Sequence, residues 1–572
     1  MFKKTSSIII CFCLLWGIVC GCGKPDVTGS ELSEISSAVS SAASVDTSSA
    51  EEQVAGGGGA KPKLVSVGAS YEGENPVIGW RNLEDKKGWT AQLIIKDLNG
   101  KTVFETSGLT GNSYTLKKWL TVGQEYRIYM YYKNADESKM GLFAGIESGG
   151  YPFVYTRKVN TNSKFYFDGN VSLEVLNNYL NRAMTYVVTP DDQPWNTGKL
   201  DPEFTEECFR GIINVGAKYL NRFICDFAYS ATQEKAHEDI KKWIDKLHEM
   251  DPEIVVEAGI FEYVHSAVNS IPIPNWVFRA FGKTPENRNF DLEKMYSDFG
   301  KNYHGDGKHV PDVTKEETQM YFYYRAVKYI DMGCESLHMG IVTLIGKNDA
   351  ASGYASYTKL IKMIRAYAKE NARRHYVFIN GHGSATVSFT DENGVQLCDF
   401  HSSPLRLRTA KGETDHAVSE DNPQLCDFYP GEDMLYGTKY SPNDAPYAKH
   451  LHGISPSGWS TGDYPYLVEF DNWGGRNNKS VTNNVSCIDR FNYDEISWFA
   501  NQPDWYRREF LQKSVIKIAA LKDNGHIALP GRRTAFNHVT EAQEDYWMND
   551  AKYAKNGFSD EATIKAIYAQ FK

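Results

Sequence analysis

Several short motifs that identify enzyme classes are missing from this sequence. It has no glycine-rich phosphate loop and no dinucleotide-binding fingerprint, so nucleotide-dependent and hydride-transfer chemistry lack support. Beyond the first 22 residues, none of its cysteines forms a Cys-x-x-Cys pair. Structural zinc sites and redox motifs are therefore not indicated, and no metal or other cofactor is expected.

Positive charge is also scarce. The 572-residue chain has 62 Lys and Arg residues against 72 Asp and Glu residues, which gives a net charge of -10. A chain of this sign is repelled by phosphate backbones, so no nucleic-acid partner is expected. Aromatic residues, in contrast, make up 13% of the chain, and their flat faces suit stacking on apolar ligands and sugar rings.

The hydrophobic run near the N-terminus is short. Two lysines precede the apolar stretch Ile8–Val19, which cannot comfortably span a bilayer. It ends in Val19-Cys-Gly-Cys22, which resembles a bacterial lipobox. The resemblance implies a signal peptide over residues 1–21 and a lipid on Cys22 that anchors the protein to the membrane outside the cytoplasm. Secretion without a lipid and an uncleaved anchor helix are the alternatives.

Two segments of different composition follow the leader. Residues 22–61 are rich in Ser, Ala, Glu and Gly, cannot bury a core and are predicted to form a flexible tether. Residues 62–160 show alternating apolar runs separated by turn signals, which predicts an all-β domain. The stretch Leu120–Tyr132 resembles the late strands of a fibronectin type III or immunoglobulin-like sandwich. Such a module is either a spacer or a glycan binder.

From residue 165 to residue 572, strand and helix patterns alternate, which predicts an α/β domain with a parallel sheet. Eight strands over this length indicate a (β/α)8 TIM barrel with large loop insertions. We predict the strands at Ala183–Thr189, Tyr219–Asp226, Ile254–Gly259, Cys334–Gly340, Tyr376–Asn380, Val395–His401, Tyr466–Asp471 and His526–Leu529. We predict the longer helices at Asp201–Ala217, Gln233–Glu249, Lys315–Met332, Tyr354–Asn371 and Tyr493–Asp523, with Arg532 and Arg533 in the loop after the last strand.

Carboxylates stand on several of these strands. If residues 467–471 form a strand, Leu467, Glu469 and Asp471 point to one side, because strand side chains alternate. Burying such a carboxylate pair without a purpose is expensive. Glu257 and Glu335 lie on two other strands. Polar groups at the C-terminal strand ends form the active face of TIM barrels, and glycoside hydrolysis requires two carboxyl groups facing each other across a cleft.

The placement of these carboxylates resembles the large clan of retaining barrel glycosidases. In that clan the acid follows strand four and the nucleophile follows strand seven, which implies Glu335 as the acid and Glu469 as the nucleophile. The chain departs from the clan at Cys334-Glu335, because the clan usually has Asn-Glu at the strand end and this Glu stands near the strand start. A structural role for Glu335, Glu257 as the acid and Asp471 as the nucleophile are the alternatives.

Further polar residues near the strand ends are expected to contact the substrate. Sugar hydroxyls need donors and acceptors at fixed positions, and an indole can form a stacking floor. The residues are Asp226, Glu262, His338, Asn380, His382, His401, Asn472, Trp473 and Arg532. The three histidines come from neighbouring strands, so zinc ligation is an alternative to hydrogen bonding with the substrate.

The barrel as a whole resembles uncharacterised, often lipid-anchored barrel proteins of gut-type bacteria that are similar to glycosidases. The resemblance rests on the runs Glu335–Gly340, Cys398–Arg406 and Tyr466–Gly474. It implies a surface-anchored glycoside hydrolase that acts on an extracellular oligo- or polysaccharide. A glycan-binding lipoprotein without activity and a metal-dependent hydrolase are the alternatives, because fold alone does not decide among them.

Overall fold

The structure is a computed structural model that describes residues 61–72, 74–84, 86–133, 140–188, 202–226, 229, 231–382, 389–405, 407–427, 453–472, 491, 493–554 and 556–571. Ala60–Lys572 form one compact unit. The predictions for the signal peptide, Cys22, the tether and Trp473 lie outside the described residues. Within the described part, no helix is both long and apolar enough to cross a membrane.

Two antiparallel sheets form the first domain, as the alternating pattern predicts. The strands are β1 (Lys63–Glu72), β2 (Asn75–Arg81), β3 (Thr90–Lys96), β4 (Thr102–Leu109), β5 (Ser113–Thr115), β6 (Glu125–Lys133), β7 (Met140–Leu142) and β8 (Tyr151–Val154). One sheet has the order β1-β2-β5 and the other β4-β3-β6-β7, with β8 also on β6. Ile78 and Trp80 of the first sheet share a buried core with Leu93 and Ile128 of the second. The assignment to the fibronectin type III class stays a prediction.

Eight parallel strands close into a barrel, which confirms the predicted fold class. In order around the ring they are β9 (Ala183–Tyr186), β10 (Tyr219–Ile224), β11 (Val255–Gly259), β12 (Ser336–Ile341), β13 (Phe378–His382), β14 (His401–Pro404), β19 (Tyr466–Glu469) and β20 (Gly525–Asn537). Strand β20 pairs with both β19 and β9, which closes the ring. The other strands are β15 (Arg408–Thr409), β16 (Cys426–Asp427), β17 (Gly453–Ile454), β18 (Ser460–Thr461) and β21 (Ala542–Trp547).

Helices cover the barrel from outside and close its N-terminal end. They are α1 (Leu173–Leu180), α2 (Pro202–Val215), α3 (Ala231–Met250), α4 (Asn275–Ala280), α5 (Glu316–Asp331), α6 (Val342–Ile345), α7 (Ala355–Asn371), α8 (Glu495–Ala500), α9 (Asp504–Ala519) and α10 (Glu561–Tyr568). In the lumen, Val255, Phe378 and Leu467 pack against Leu176 and Tyr179 of α1. The N-terminal half of the lumen is therefore apolar, and its polar groups lie toward the C-terminal strand ends.

The predicted sixth strand and the predicted helix Tyr493–Asp523 differ from the structure. The sixth strand is not Val395–His401 but β14, which begins at His401. Before it, Asp399 takes the place of a strand residue beside β13: its N–H donates to the carbonyl of Ile379 and its carboxylate accepts from the N–H of Ile379, both at 2.7 Å. The predicted helix Tyr493–Asp523 is divided into α8 and α9, because Pro503 cannot continue a helix and instead begins the next one.

The β-sandwich docks on the N-terminal end of the barrel. Arg373, which precedes β13, binds Glu74 of the sandwich at 3.2 Å and Glu335 of the barrel at 2.8 Å. Arg157 of the sandwich pairs with the same Glu74 and donates to the carbonyl of Arg373 at 2.8 Å. Lys118 donates to the carbonyl of Glu370 at 2.6 Å. A buried chain of alternating charges thus joins the two domains.

Candidate active site

A hydrogen-bonded polar layer fills the lumen above its apolar half. Glu257, on β11, is fully buried and accepts from the side chains of Tyr219, Ser336 and Asn380. The backbone N–H of Arg222 donates to its other oxygen at 3.0 Å. Burial raises the pKa of Glu257 above its usual value, although its hydrogen bonds act in the opposite direction. Glu257 therefore faces the lumen, as its position on the strand predicts.

Glu469, on β19, is fully buried and is shared by two guanidinium groups. Arg222 Nη2 lies 2.5 Å from its Oε1, and Arg533 Nη1 lies 3.2 Å from its Oε2. The same Oε2 accepts from Asn221 at 2.9 Å. Burial alone would raise the pKa of Glu469, but the charges of Arg222 and Arg533 hold it well below its usual range. Glu469 is thus an ionised carboxylate with both oxygens bonded.

Asp471 lies two residues further along, nearer the mouth of the barrel. Its Oδ1 accepts from Arg533 Nη2 at 2.5 Å and from the N–H of Asn472 at 2.7 Å. Its Oδ2 has no hydrogen-bond partner among the described residues, and its side chain is 9% exposed where that of Glu469 is 0%. The predicted alternation of Leu467, Glu469 and Asp471 toward one side is confirmed. Of the two carboxylates, Asp471 is the one that a ligand can reach.

Arg222 enters the lumen through a bulge. Strands β10 and β11 pair at Leu220 with Val256 and again at Ile224 with Ala258, so β10 has two extra residues between these pairs. Arg222 lies in this bulge with a left-handed φ of 58°. Bulges re-aim side chains, and a non-glycine residue in this conformation is strained unless its surroundings hold it there. The bonds of Arg222 to two buried carboxylates hold it in this conformation.

A second bulge decides which of two adjacent arginines faces the lumen. The pairing of β20 with β9 shifts by one residue between Pro530 and Arg532. Arg532 therefore points out of the lumen, where it binds a backbone carbonyl at 2.7 Å and a carboxylate of β21 at 2.9 Å. Arg533 faces inward instead. The prediction that both arginines lie in a loop is wrong, because β20 continues through them.

A further carboxylate follows β11, the strand opposite β19 in the ring. Glu262 follows β11, is half-buried, and its Oε2 accepts from the N–H of Ile341 at the end of β12 at 3.0 Å. Its Oε1 has no hydrogen-bond partner among the described residues. Strand β11 is third and β19 is seventh in the ring of eight, four steps apart in either direction. Glu262 and Asp471 thus follow opposite strands, each with one unbonded oxygen.

Two histidines line the lumen beside Asn380. His338 Nδ1 lies 2.7 Å from Asn380 Oδ1, and the ring centroids of His338 and His382 are 4.8 Å apart. His382 Nε2 lies 2.7 Å from Arg222 Nη2. The structure therefore brings three of the predicted polar residues together. Asn472 also belongs to this set, because its Oδ1 accepts from Arg533 Nε at 2.7 Å.

Other predicted residues are not brought to the mouth. Glu335 lies at the N-terminal end of β12, bound to Arg373 at 2.8 Å and to Arg374 at 3.3 Å, a position that fits the structural alternative. Asp226 pairs with His237 of α3 at 2.7 Å, outside the lumen.

His401 likewise faces away from the lumen, because it precedes the inward Ser402 on β14. Its ring lies 6.0 Å from that of Tyr464, and burial lowers its pKa to about 4. The three histidines of the zinc alternative therefore do not converge. A different group, His382, Glu469 and Asp471, has ligand atoms within 4.8 Å of one another. Both carboxylates already bind guanidinium groups, whose positive charge opposes a metal cation.

One Gly-x-Ser-x-Gly run is present at Gly458–Gly462. Its serine, Ser460, lies on β18 in a two-stranded hairpin with β17. A nucleophile elbow requires a strand-to-helix turn, so this run is not the setting of a serine hydrolase.

Comparison with known proteins gives only distant similarity. No protein-family model and no curated protein matches the chain. A β-glucuronidase from Ruminococcus gnavus superposes with a TM-score of 0.31 and 9% identity over 90% of this chain and 67% of that chain. A type III pullulan hydrolase from Thermococcus kodakarensis gives 0.22 and 12% over 56% and 59%. A β-glucuronidase from Parabacteroides merdae gives 0.23 and 11% over 60% and 35%. Similarity at this level carries no conclusion about activity.

Sequence reasoning missed several residues of the polar layer. Tyr219, Asn221 and Ser336 lie at strand positions whose parity matches that of Glu257, so a count along each strand could have found them. Arg222 lies within a bulge and Arg533 lies beyond one, so a simple alternation count predicts the direction of neither.

Proposed function

We propose that this protein is a glycoside hydrolase that acts on an extracellular oligo- or polysaccharide and is held outside the cytoplasm by a lipid on Cys22. The observation that carries the proposal is the pair Glu262 and Asp471, which follow opposite strands at the barrel mouth with one unbonded oxygen each. Hydrolysis of a glycosidic bond needs two carboxyl groups on opposite sides of that bond.

The two carboxyl groups have different surroundings, which suits different roles. We assign Asp471 as the nucleophile or base, because Arg533 holds its Oδ1 in place while its Oδ2 has no hydrogen-bond partner among the described residues. We assign Glu262 as the acid, because its carboxyl lies against Ile341 at the end of the fourth strand, where the glycosidase resemblance places the acid. Glu469 holds both arginines in place, and Glu257 supports the bulge that presents Arg222.

The test is hydrolysis of plant, host and microbial glycans by the purified protein, measured as new reducing ends. Asp471→Asn and Glu262→Gln keep the size of each side chain and remove its acid–base chemistry. Each is expected to lower the rate by about 100- to 10,000-fold, the usual contribution of such groups. Glu335→Gln is the control, because it removes a buried carboxylate at the end of the barrel opposite the mouth.

Two results would contradict these assignments. Full activity in Asp471→Asn together with loss of activity in Glu469→Gln would identify Glu469, which lies deeper in the lumen, as the reacting carboxylate. Binding of a glycan without any release of reducing ends across the panel would favour the glycan-binding alternative.

A further inference from the structure

The hydrogen bonds of the lumen fix which nitrogen of His338 carries its proton. Asn380 Nδ2 donates to the carboxylate of Glu257, so Asn380 Oδ1 is the atom that faces His338 at 2.7 Å. Oδ1 can only accept, so His338 Nδ1 carries the hydrogen and Nε2 keeps a lone pair. The His338 side chain is fully buried, and Nε2 has no hydrogen-bond partner among the described residues. A buried acceptor of this kind needs a donor.

The neighbouring histidine has the complementary arrangement. Arg222 Nη2 lies 2.7 Å from His382 Nε2, and a guanidinium can only donate. Glu469 Oε1 also lies 3.4 Å from His382 Nε2. The shorter contact is to a group that can only donate, so Nε2 is the acceptor and Nδ1 carries the hydrogen. The His382 side chain is 17% exposed at the barrel mouth, and no described residue accepts from Nδ1.

We infer that His338 and His382 together bind one hydroxyl group of a neutral sugar unit, with His338 Nε2 accepting its hydrogen and His382 Nδ1 donating to its oxygen. The inference rests on the proposed function and names a subsite within it. A hydroxyl is suited to this pair because it donates and accepts at the same atom. The two rings are neighbours, with centroids 4.8 Å apart and an angle of 72° between their planes.

The same pair selects against acidic groups at this position. A carboxylate or phosphate oxygen can accept from His382 but cannot donate to His338. The lone pair on His338 Nε2 would then have no donor and would face a lone pair of the ligand oxygen. Phe261 closes one side of His338 with ring centroids 5.7 Å apart, which gives this part of the lumen an apolar wall. Water has the same chemistry as a sugar hydroxyl, and the experiment must distinguish the two.

The first arm of the experiment reads the tautomers directly. The purified protein is labelled with ¹⁵N-histidine, and the two rings are assigned from spectra of His338→Leu and His382→Leu. We expect protonated Nδ1 and unprotonated Nε2 in both rings. A proton on Nε2 of His338 would overturn the inference whatever the enzyme does.

The second arm adds glucose, galactose, mannose or N-acetylglucosamine to the labelled protein. At least one sugar should move the signals of His338 Nε2 and His382 Nδ1, whereas water alone gives no change on titration. For that sugar, His338→Leu should raise the Kd about tenfold, the usual effect of losing one hydrogen bond. His338→Gln, which keeps an acceptor oxygen in place of Nε2, should recover part of the loss. His526→Leu removes another buried histidine at the opposite end of the barrel and should leave the Kd unchanged.

Deoxy sugars identify the hydroxyl. One monodeoxy form of the bound sugar should bind the native protein about tenfold more weakly and should lose nothing further in His338→Leu, because the same hydrogen bond is missing in both cases. No movement of either signal with any of the four sugars would overturn the inference. If neither signal moves but glycans are hydrolysed, the inference fails and the proposed function stands. If a sugar moves both signals but no glycan is hydrolysed, the inference stands and the proposed function fails.

Discussion

At the scale of single residues, Arg222 is the residue on which the site depends most. Its N–H binds Glu257, and its guanidinium binds Glu469 and His382. Three polar groups from three different strands thus meet at one residue. The same residue has a left-handed backbone, so the strain of the bulge and the order of the polar layer are coupled.

Removing this side chain should cost much stability. Arg222→Ala leaves Glu469 buried with one guanidinium instead of two, and breaking a buried ion pair costs about 3–5 kcal/mol of unfolding free energy. Urea denaturation measures the loss. Arg127→Ala, which removes an exposed pair with Glu125, is the matched control and should cost less than about 1 kcal/mol. Equal losses in the two variants would contradict the role given to Arg222.

Asp494 gives the fold a measurable pH dependence. It caps α8 by accepting from the N–H of Ser497, and burial raises its pKa to about 7 from an ordinary value of 3.8. The fold therefore favours the protonated form, and this stabilisation is full below pH 4 and is lost as the pH rises toward 7. Asp494→Asn keeps a capping side chain that does not titrate. The native protein should lose stability between pH 5 and pH 8 while the variant does not. The unfolding free energy of Asp494→Asn minus that of the native protein should therefore rise by roughly 2 kcal/mol over this range. A difference that is independent of pH would disprove the shifted carboxyl.

At the scale of elements, strand alternation predicts a side chain's direction only while the strand stays regular. The count works on β19, where Leu467, Glu469 and Asp471 face inward as predicted. It fails on β20, where the extra residue at Gly531 turns Arg532 outward and Arg533 inward. Side-chain hydrogen bonds mislead in a similar way, since Asp399 mimics a strand partner of β13 before β14 begins.

The bulge on β20 requires a residue without a side chain. A Cβ at Gly531 would lie 2.5 Å from Met184 Sδ and 2.6 Å from Tyr186 Cδ2, both on β9. Gly531→Ala should therefore cost about 1–3 kcal/mol of stability by overpacking and should lower activity by moving Arg533. Gly462→Ala, where a Cβ meets nothing within 4 Å, is the control for a glycine substitution as such. If Gly531→Ala keeps the native rate and stability, β20 can accommodate a side chain at this position and the bulge does not require glycine.

At the scale of the whole molecule, the order of the parts could be predicted but the joint between them could not. Period-two patterning predicts the β-sandwich, and alternating strands and helices predict the barrel, because both signals extend over many residues. The joint depends on single contacts, such as Glu74 with Arg373, between positions far apart in sequence. Local patterns contain no information about such pairs.

The joint should make the two domains unfold together. Glu74 is the shared carboxylate of Arg157 and Arg373, so Glu74→Ala leaves two largely buried guanidinium groups without it. We expect one calorimetric transition in the native protein and, in Glu74→Ala, a lower melting temperature with a separate transition for the sandwich. Glu105→Ala, which removes an exposed carboxylate bonded to Gln92, should change neither. Two transitions in the native protein would mean that the domains fold independently.

The position of that joint also determines how a long chain molecule could approach the barrel. Because the described contacts of the sandwich lie at the end where the strands begin, we expect the proposed polymer substrate, which would bind where the strands finish, to make no contact with the sandwich.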